Sequence, residues 1–302
     1  MSLPYLDAAA LGLALPMTAA IDALDRALRA GLDPASDPPR TAVLNPAGQV
    51  LLMPSVAGGN LAVKLISVAP GNAGLGRPLI QGVVVVFDPT TLAPVALIDG
   101  IAVTSLRTPA VSALAARRLA RPEAHRLVVF GTGPQAEGHI AALRAIRPID
   151  DVVLVGRNQE RAEALAARCR TEDLAVRVGS ADDVATADLV VCATTAREPL
   201  FDGRLIQDGV CVIAVGSHQP TAREVDAELV RRSRIVVEDV ATALREAGDL
   251  VLAAVGPDQL ETLGELLRAE PRAVEPDRPI LVKTVGMAWQ DAVVATAALA
   301  YL

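Results

Sequence analysis

A glycine-rich turn between an apolar run and a helical pattern is the stretch of this sequence with the clearest chemical use. Residues 127–130 suit a strand that is buried on both faces, and Gly131-Thr132-Gly133 follows directly. A helical pattern begins at Pro134 and Gln135, and Ala136 completes the spacing G-x-G-x-x-A. The first glycine permits a tight turn, the second lets the backbone approach a pyrophosphate, and the alanine lets the helix pack on the strand. A plain strand–turn–helix connection also carries glycines, but the N–H groups at the helix start attract phosphate, and we favour dinucleotide binding.

The residues after the second strand of such a fold select between the two nicotinamide cofactors. An acidic side chain there binds the ribose 2′-hydroxyl group, whereas an arginine accommodates a 2′-phosphate. Arg157 and Asn158 follow the predicted strand 152–155, and Arg161 lies one helical turn further on. We therefore expect NADP(H) in preference to NAD(H), with a solvated surface position for Arg157 as the alternative. Thr194, after a third apolar run, either contacts the cofactor or caps the following turn.

The basic residues of the first third offer a second chemistry, the binding of a carboxylate. Arg40 precedes a predicted strand, and Lys64 lies inside the apolar run 61–66. A lysine among apolar neighbours is costly unless it points outward or meets an anion. Arg107 precedes an expected helix start, with Thr108 as N-cap and Pro109 at the first helical position. Exposed N–H groups beside an arginine can bind a carboxylate. The alternative for Lys64 is an outward-facing position on the strand, and the alternative for Arg107 is a surface salt bridge.

Two patterns of elements would position these residues. The first third reads as strands with few helices, which predicts a largely antiparallel sheet. Residues 124–285 alternate strands and helices, which predicts an α/β fold with a parallel, doubly wound sheet. The strands of the first pattern are expected at 41–44, 50–53, 61–67, 83–88 and 94–98, and those of the second at 127–130, 152–155, 189–192, 210–215, 235–237 and 280–283. Helices are expected after Thr18 as N-cap, at 161–170, at 224–232 and at 288–302. The last helix is apolar all round and must be buried, in the N-terminal domain or at an oligomer interface.

Composition limits the classes of protein that the chain can represent. Its 302 residues are 52% hydrophobic and 21% charged, which indicates a large core and two domains. A net charge of −7 and 2% aromatic residues disfavour a nucleic-acid partner. The three cysteines lack the spacing of metal ligands, so we expect no metal site and a reduced, cytoplasmic setting. We see no signal peptide and no apolar run long enough to cross a membrane, and expect no membrane partner.

Several segments, taken in order along the chain, resemble the ornithine cyclodeaminase/mu-crystallin family. They are Arg40-Thr41, Ala62-Val63-Lys64, Leu97-Ile98-Asp99-Gly100, Thr104-Ser105-Leu106-Arg107-Thr108-Pro109-Ala110, the glycine turn from Phe130 to Ala136, and Val215-Gly216-Ser217-His218. The resemblance implies a Rossmann-type dinucleotide-binding domain, residues 116–285, inserted in an α+β substrate-binding and dimerisation domain, residues 1–115 plus 286–302. It also implies a homodimer.

The resemblance further implies roles for individual residues. Arg40, Lys64 and Arg107 would surround the carboxylate of a small imino or amino acid, with Lys64 as a candidate proton donor. Val215 and Gly216 fall in a cofactor loop of the family. Gly286-Met287 and Asp291 resemble the segment that closes over the nicotinamide, which makes Met287 a candidate cofactor contact.

One departure from the family pattern bears on the reaction. In the cyclodeaminases, the loop after the fourth strand of the nucleotide domain carries an aspartate that engages the substrate amine, whereas this chain has His218. An imidazole stabilises an ammonium group less well than a carboxylate. We therefore expect an NAD(P)H-dependent reductase of small cyclic α-imino acids such as Δ1-pyrroline-2-carboxylate, with His218 as a further candidate proton donor. The alternatives are an ornithine cyclodeaminase that forms proline and ammonia, an alanine-type amino-acid dehydrogenase, and a non-catalytic NADP-binding protein like mu-crystallin.

Overall fold

The computed structural model describes residues 3–270 and 277–300, and the chain forms two compact units. Unit 1 is built from the residues up to Ala110 and from Met287 onward, and unit 2 is Val111–Gly286. The strands are β1 (Tyr5–Leu6), β2 (Thr41–Asn45), β3 (Gly48–Ala57), β4 (Asn60–Val68), β5 (Ile80–Phe87), β6 (Pro94–Asp99), β7 (Arg126–Phe130), β8 (Asp151–Val155), β9 (Ala175–Val178), β10 (Leu189–Cys192), β11 (Cys211–Ala214), β12 (Arg234–Val237), β13 (Leu260–Thr262) and β14 (Ile280–Lys283). The helices are α1 (Ala8–Ala14), α2 (Met17–Arg29), α3 (Gly100–Leu119), α4 (Pro134–Arg144), α5 (Gln159–Cys169), α6 (Ala227–Arg232), α7 (Val240–Glu246), α8 (Gly248–Val251), α9 (Leu263–Arg268) and α10 (Ala288–Leu299).

Unit 1 contains a six-stranded sheet in the order β1-β6-β5-β4-β3-β2. Strands β2 to β6 pair antiparallel, as predicted, while β1 adds parallel to β6. The register aligns Lys64 with Met53 of β3 and Val84 of β5, and all three side chains are buried. Because alternate residues of a strand point to opposite faces, Lys64 lies on the buried, inner face of this sheet. The alternative of an outward-facing lysine is excluded.

The opposite side of this sheet is apolar and only partly covered in the chain. We call it the outer face. It is formed by Val50, Leu52 and Val56 of β3, Leu61, Val63 and Leu65 of β4, Val83, Val85 and Phe87 of β5, and Leu97 of β6. Val56 is 79% exposed on it. A continuous exposed apolar surface of this kind is typical of a protein–protein contact.

Helix α10 covers the inner face of the sheet and also contacts α2. Its residues are buried almost all round, among them Trp289, Ala292 and Val294, as expected of a helix without a polar side. The predicted helix 288–302 ends at Leu299, and residues 301–302 lie outside the described residues. The expectation that this helix returns to the N-terminal domain is confirmed.

The N-terminal segment differs from its prediction in two respects. Helix α1, whose first turn is capped by the Asp7 carboxylate, was not expected. Helix α2 follows Pro16 and begins at Met17, so Thr18 lies inside the helix and the predicted N-cap is wrong. Proline before the first helical residue ends the preceding helix and lets the next one start without a side-chain cap.

Helix α3 also begins earlier than predicted. The Asp99 carboxylate accepts hydrogen bonds from the N–H groups of Ile101 (2.8 Å) and Ala102 (2.9 Å) and caps the first turn. Pro109 lies in the helix interior, so the expected helix start at Thr108 is wrong. The proline removes one backbone hydrogen bond, but burial of the apolar residues that follow stabilises the uninterrupted helix. The boundary between the two units falls inside α3.

Unit 2 contains eight parallel strands in the order β13-β12-β14-β11-β10-β7-β8-β9. All six predicted strands are present, and the doubly wound, Rossmann-like α/β architecture is confirmed. Strands β9 and β13, at the two edges, were missed because they have only four and three residues, too few to show a periodic pattern. The helix predicted at 224–232 begins only at Ala227, since the Asp226 carboxylate caps it.

Among the described residues, no single helix has the length and apolarity to cross a bilayer, although α1 and α2 together, bent by 69°, reach that length and composition.

Candidate functional site

Unit 1 places a buried ion pair on the inner face of its sheet. Lys64 Nζ lies 2.6 Å from Asp291 Oδ2 of α10, and both side chains are almost fully buried. The Thr104 hydroxyl group of α3 lies 3.5 Å from the same ammonium. Lys64 therefore meets an anion, which is the condition under which a lysine is tolerated among apolar neighbours.

Arg107 converges on the same carboxylate from α3. Its Nε donates to Asp291 Oδ1 at 3.1 Å, and one terminal nitrogen donates to the Gln290 side-chain oxygen at 2.8 Å. Arg107 is buried, with 7% of its surface exposed. The prediction that Arg107 stands beside a helix N-terminus is wrong, because the residue lies within α3. Its position is fixed instead by two side chains in the first turn of α10.

Arg40 completes a group of three cations. It precedes β2 and is half-buried, and its positive charge lowers the pKa of Lys64. Burial lowers the pKa of Lys64 to about 8; Asp291 opposes this shift, while Arg107 and Arg40 add to it. The structure thus brings together the three residues that the sequence assigned to carboxylate binding. Two of them, Lys64 and Arg107, share one buried counter-ion, Asp291.

A second carboxyl group lies near this group, on the loop that leads to Arg40. Asp37 lies beside the Ser55 hydroxyl group and the backbone N–H of Trp289, and burial raises its pKa, with a contribution from Asp291. Its contact with the start of α10 ties the loop of Arg40 to the helix that carries Asp291. No motif in the sequence pointed to Asp37.

Unit 2 presents the glycine turn at the carboxyl end of β7. Gly131 has a φ of +120°, and a Cβ atom there would lie 2.5 Å from the carbonyl oxygen of Ala193, so both conformation and space require glycine. Gly133 is the N-cap of α4, and nothing lies within 4 Å of where its Cβ would be. Pro134 occupies the first position of α4, and Ala136 is fully buried. An open backbone cradle at a helix N-terminus fits a diphosphate, so these residues suit a dinucleotide.

The residues after β8 divide between two tasks. Arg157 is exposed at the carboxyl end of the strand, and Arg161 is exposed in the first turn of α5. The Asn158 side chain accepts a hydrogen bond from the Arg161 N–H at 2.8 Å and is the N-cap of α5. Asn158 thus has a structural task, while the two arginines can approach a ligand. Gly156 packs closely against Thr132. A Cβ atom on residue 156 would lie only 2.5 Å from the methyl group of Thr132.

The loops after β10 and β11 are joined by a carboxylate that the sequence analysis assigned to a helix. Thr194 Oγ1 donates to Glu224 Oε1 at 2.7 Å and accepts the Ala196 N–H at 3.1 Å, so the turn-capping alternative is observed. Glu224 Oε2 accepts the Gly216 N–H at 2.6 Å. Val215 and Gly216 are half-buried, and Gln135 lies in the first turn of α4. The candidate cofactor residues after β7, β8, β10 and β11 therefore share one edge of the sheet.

The two remaining predicted residues lie in different units. His218 is exposed on the loop after β11 in unit 2. Met287 is the buried N-cap residue of α10 in unit 1. Their roles toward substrate and cofactor stay predictions.

Sequence reasoning missed Asp291 as the partner of Lys64 and Arg107, and Glu224 as the bridge between two loops. An aspartate in an otherwise apolar final helix is the pattern that could have indicated the first. Within residues 3–270 and 277–300, no group of three His, Cys, Asp or Glu side chains is arranged to hold a metal ion.

Comparison with known proteins finds relatives that are named reductases and dehydrogenases. The chain is 38% identical over 245 residues to Δ1-pyrroline-2-carboxylate reductase 2 of Burkholderia ambifaria, covering 81% of this chain and 78% of that protein. Its fold is similar to Thermococcus litoralis Δ1-pyrroline-2-carboxylate reductase in complex with NADH and L-proline, with a TM-score of 0.91, 29% identity, and coverage of 99% and 97% of the two chains. It is also similar to an archaeal alanine dehydrogenase dimer with bound NAD, with a TM-score of 0.92, 25% identity, and coverage of 100% and 96%. These relatives bear out the expectation of a nicotinamide-dependent reductase. The model of the ornithine cyclodeaminase/mu-crystallin family matches residues 6–299, and the chain belongs to that family.

Proposed function

We propose that this protein is an NAD(P)H-dependent reductase of small cyclic α-imino acids, and that Δ1-pyrroline-2-carboxylate, reduced to proline, is its substrate. The observation that carries the proposal is the set of three cations, Arg40, Lys64 and Arg107, gathered near one buried carboxylate in unit 1. The names of the relatives support the choice of substrate class.

Charge balance favours an anionic substrate. Arg40, Lys64 and Arg107 carry three positive charges, whereas Asp291 and Asp37 can supply at most two negative charges near them. A substrate carboxylate would balance the remaining charge and accept hydrogen bonds from the two guanidinium groups, which bind carboxylates in a forked geometry. Held in this way, the C=N carbon next to the carboxylate has a fixed position.

Lys64 is the proposed proton donor. Reduction of a C=N bond leaves a nitrogen that must gain a proton, and bound NAD(P)H supplies the hydride. With a pKa of about 8, Lys64 is largely protonated at neutral pH and yet releases its proton more readily than an ordinary lysine. Water or His218 is the alternative source of the proton.

The composition of the chain supports a specific task for Lys64. Of its 28 lysine and arginine residues only two are lysines, Lys64 and Lys283, and both are fully buried. The other 26 residues of this set are thus arginines, which cannot be deprotonated in a protein. A lysine at position 64 is the residue type that can both bind an anion and give up a proton.

The cofactor is proposed to be NADP(H) in preference to NAD(H). Gly131, Thr132, Gly133, Pro134 and Gln135 would hold the diphosphate, with Thr194, Val215 and Gly216 beyond it. The exposed residues Arg157 and Arg161 support the preference, since they follow the second strand of the nucleotide fold, after which an arginine accommodates a 2′-phosphate.

A homodimer is proposed to form through the outer face of the unit 1 sheet. This face is apolar and partly exposed in one chain, and a second copy would cover it with the same surface. The free thiols of Cys169, Cys192 and Cys211 support the further proposal of a reduced, cytoplasmic setting.

The test is the absorbance of NADPH, and separately NADH, on mixing with Δ1-pyrroline-2-carboxylate, beside an assay of ammonia from ornithine. Cofactor oxidation without ammonia from ornithine is the expected result. Ammonia release without net cofactor oxidation would identify a cyclodeaminase instead. Ammonia-dependent reduction of pyruvate alone would identify an alanine-type dehydrogenase, and cofactor binding without any turnover would contradict an enzyme.

A further inference from the structure

Unit 2 holds three charged side chains that are buried beneath its candidate cofactor loops. Glu224, Asp249 and Lys283 are each at most 1% exposed, and we call them the buried charge cluster. Lys283 Nζ lies 3.2 Å from Asp249 Oδ2 and donates to the carbonyl oxygens of Ala214 (3.1 Å) and Ser217 (2.7 Å). Asp249 Oδ1 in turn accepts the N–H of Glu224 at 2.6 Å. The cluster therefore holds the loop after β11 in place through hydrogen bonds and fixes the backbone that carries Glu224.

The Glu224 carboxylate bridges the loops after β10 and β11 with both of its oxygens. Oε1 accepts the backbone N–H of Thr194 at 2.8 Å as well as its hydroxyl group, and Oε2 accepts the backbone N–H of Gly216. All three partners donate, so the group must present acceptors on both oxygens. An ionised carboxylate does this, whereas an amide or a protonated acid presents a donor on one side.

Close backbone packing links these two loops to the glycine turn. A Cβ atom on Gly216 would lie 2.1 Å from the carbonyl oxygen of Thr194, and a Cβ atom on Gly131 would lie 2.5 Å from that of Ala193. The three loops at this edge of the sheet are therefore in direct contact. A change in the distance between the loops after β10 and β11, which Glu224 sets, would therefore shift the glycine turn that is proposed to bind the diphosphate.

Stability alone does not account for such a cluster. Burying charges costs more than their mutual attraction commonly returns, and well-packed apolar residues often serve a core better. The cluster instead fixes two N–H groups, of Thr194 and Gly216, and two C=O groups, of Ala214 and Ser217, at the ligand-binding edge of the sheet.

We propose that Glu224 is a positioning residue for the dinucleotide, and that its buried carboxylate sets the spacing of the loops after β10 and β11 against the glycine turn. The inference rests on the dinucleotide binding proposed above. It is tested by binding rather than turnover, so that an incorrect choice of imino-acid substrate would not affect the result.

The experiment compares Glu224→Gln with Asp226→Asn by calorimetric titration with NAD⁺ and NADP⁺. Asp226 is the matched control, because its carboxylate also accepts two backbone N–H groups, those of Gly203 and Leu229, but lies away from the cofactor loops. Glu224→Gln should weaken dinucleotide binding by about tenfold or more, since one buried N–H loses its acceptor. Asp226→Asn should lower the melting temperature while leaving the dinucleotide Kd within about twofold of the parent value. Equal effects of the two substitutions on Kd, or a Glu224→Gln protein that binds like the parent, would overturn the proposal.

A pH series adds a readout that a purely structural role would not move. Burial raises the pKa of Glu224 and the Asp249 charge adds to this, while Lys283 and the hydrogen bonds from Thr194 oppose it. The parent protein should therefore lose affinity for NAD⁺ as the pH falls and the carboxylate gains a proton. Glu224→Gln should lack this dependence. If Glu224→Gln does not fold, Glu224→Asp keeps the charge but is too short to reach both loops, and a selective loss of dinucleotide affinity is expected again. Unchanged affinity in Glu224→Asp would contradict the proposal.

Discussion

Lys64 Nζ and Asp291 Oδ2 lie 2.6 Å apart in the interior of unit 1, on elements that are separated by most of the chain. The same carboxylate accepts a hydrogen bond from Arg107. One aspartate therefore orients both Lys64, the proposed proton donor, and Arg107, which is proposed to bind the substrate carboxylate. Its removal would change the electrostatics of Lys64 as well as the geometry of Arg107. This double role makes Asp291 the most informative position for a test of the site.

Asp291→Asn should move the alkaline limb of the pH profile of kcat/KM to lower pH. Asp291 raises the pKa of Lys64, whose value in the intact site is about 8, so loss of the carboxylate lowers that pKa and reduces the protonated fraction at neutral pH. The measurement is kcat/KM against pH for the parent and the variant. Asp173→Asn, at an exposed carboxylate that pairs with Arg144, is the control and should leave the profile unchanged. An unshifted alkaline limb in Asp291→Asn would mean that Lys64 is not the group whose titration limits the reaction.

The pKa of Lys64 can also be measured directly, because the chain has only two lysines. With ¹³C-labelled lysine, the spectrum contains two side-chain signals, and Lys64→Met assigns them. One signal should titrate near pH 8, well below an ordinary lysine. A Lys64 signal that titrates above pH 10 would contradict the proposed proton donor.

The same pKa predicts how stability depends on pH. The unfolded chain holds the Lys64 proton up to the ordinary value of 10.5, whereas the folded protein releases it near 8, so the unfolded state binds more protons between these two values. The contribution of Lys64 to the free energy of unfolding must then rise with pH across that window, by on the order of 1–3 kcal/mol. Denaturant titrations of the parent and Lys64→Met across that range measure it. A free-energy difference that is flat with pH would show that folding does not shift the pKa of Lys64.

Arg107→Ala should raise KM for the imino acid and lower kcat/KM by orders of magnitude, while the dinucleotide Kd stays nearly unchanged. A guanidinium that holds a carboxylate in a buried site contributes to binding in the ground state and the transition state. Arg144→Ala, at a half-buried arginine of unit 2 that is paired with Asp173, is the control. Steady-state kinetics and cofactor titration make the comparison, and kinetics unchanged from the parent would remove Arg107 from carboxylate binding.

The elements of this fold were largely predictable because their apolar patterns are strong. Buried parallel strands such as β10 and β11 are continuous apolar runs, and the glycine turn has conformational requirements that sequence reveals. The strongest local rule failed at Pro109, where the cap at Asp99 and burial of the remainder of α3 outweigh the preference of proline for a first turn. A local sequence pattern cannot show which of these opposing effects is larger.

The candidate site was predictable in its cations but not in its anions. Arg40, Lys64 and Arg107 were identified by residue type and resemblance, whereas the inward direction of Lys64 follows from the pairing register of β4 with its neighbours. Asp291 meets Lys64 only because α10 returns to the sheet of unit 1, a long-range contact that no local spacing encodes. Glu224 was assigned to a helix because its neighbours have helical spacing.

Arg157→Ala should weaken NADPH binding selectively, with little effect on NADH. The guanidinium is exposed at the carboxyl end of β8, where only the phosphorylated cofactor offers a dianionic partner. Arg168→Ala, at an exposed arginine paired with Glu137, controls for a general change in surface charge. Titration of each protein with both cofactors gives the ratio of affinities. Equal losses for NADPH and NADH, or no loss for either, would show that Arg157 does not read the 2′-phosphate.

Val63→Glu should convert a dimer into a monomer if the outer face is the subunit contact. Val63 lies on β4 near the middle of that face, paired with Pro54 on one side and Val85 on the other, so a carboxylate there would be buried without a partner in the assembly. Leu13→Glu is the matched control, because Leu13 is 87% exposed on α1 and is not part of the outer face. Light scattering coupled to size exclusion should give twice the chain mass for the parent and for Leu13→Glu, and the chain mass for Val63→Glu, with circular dichroism to confirm the fold. A monomeric parent protein, or a Val63→Glu protein that stays dimeric, would place any subunit contact elsewhere.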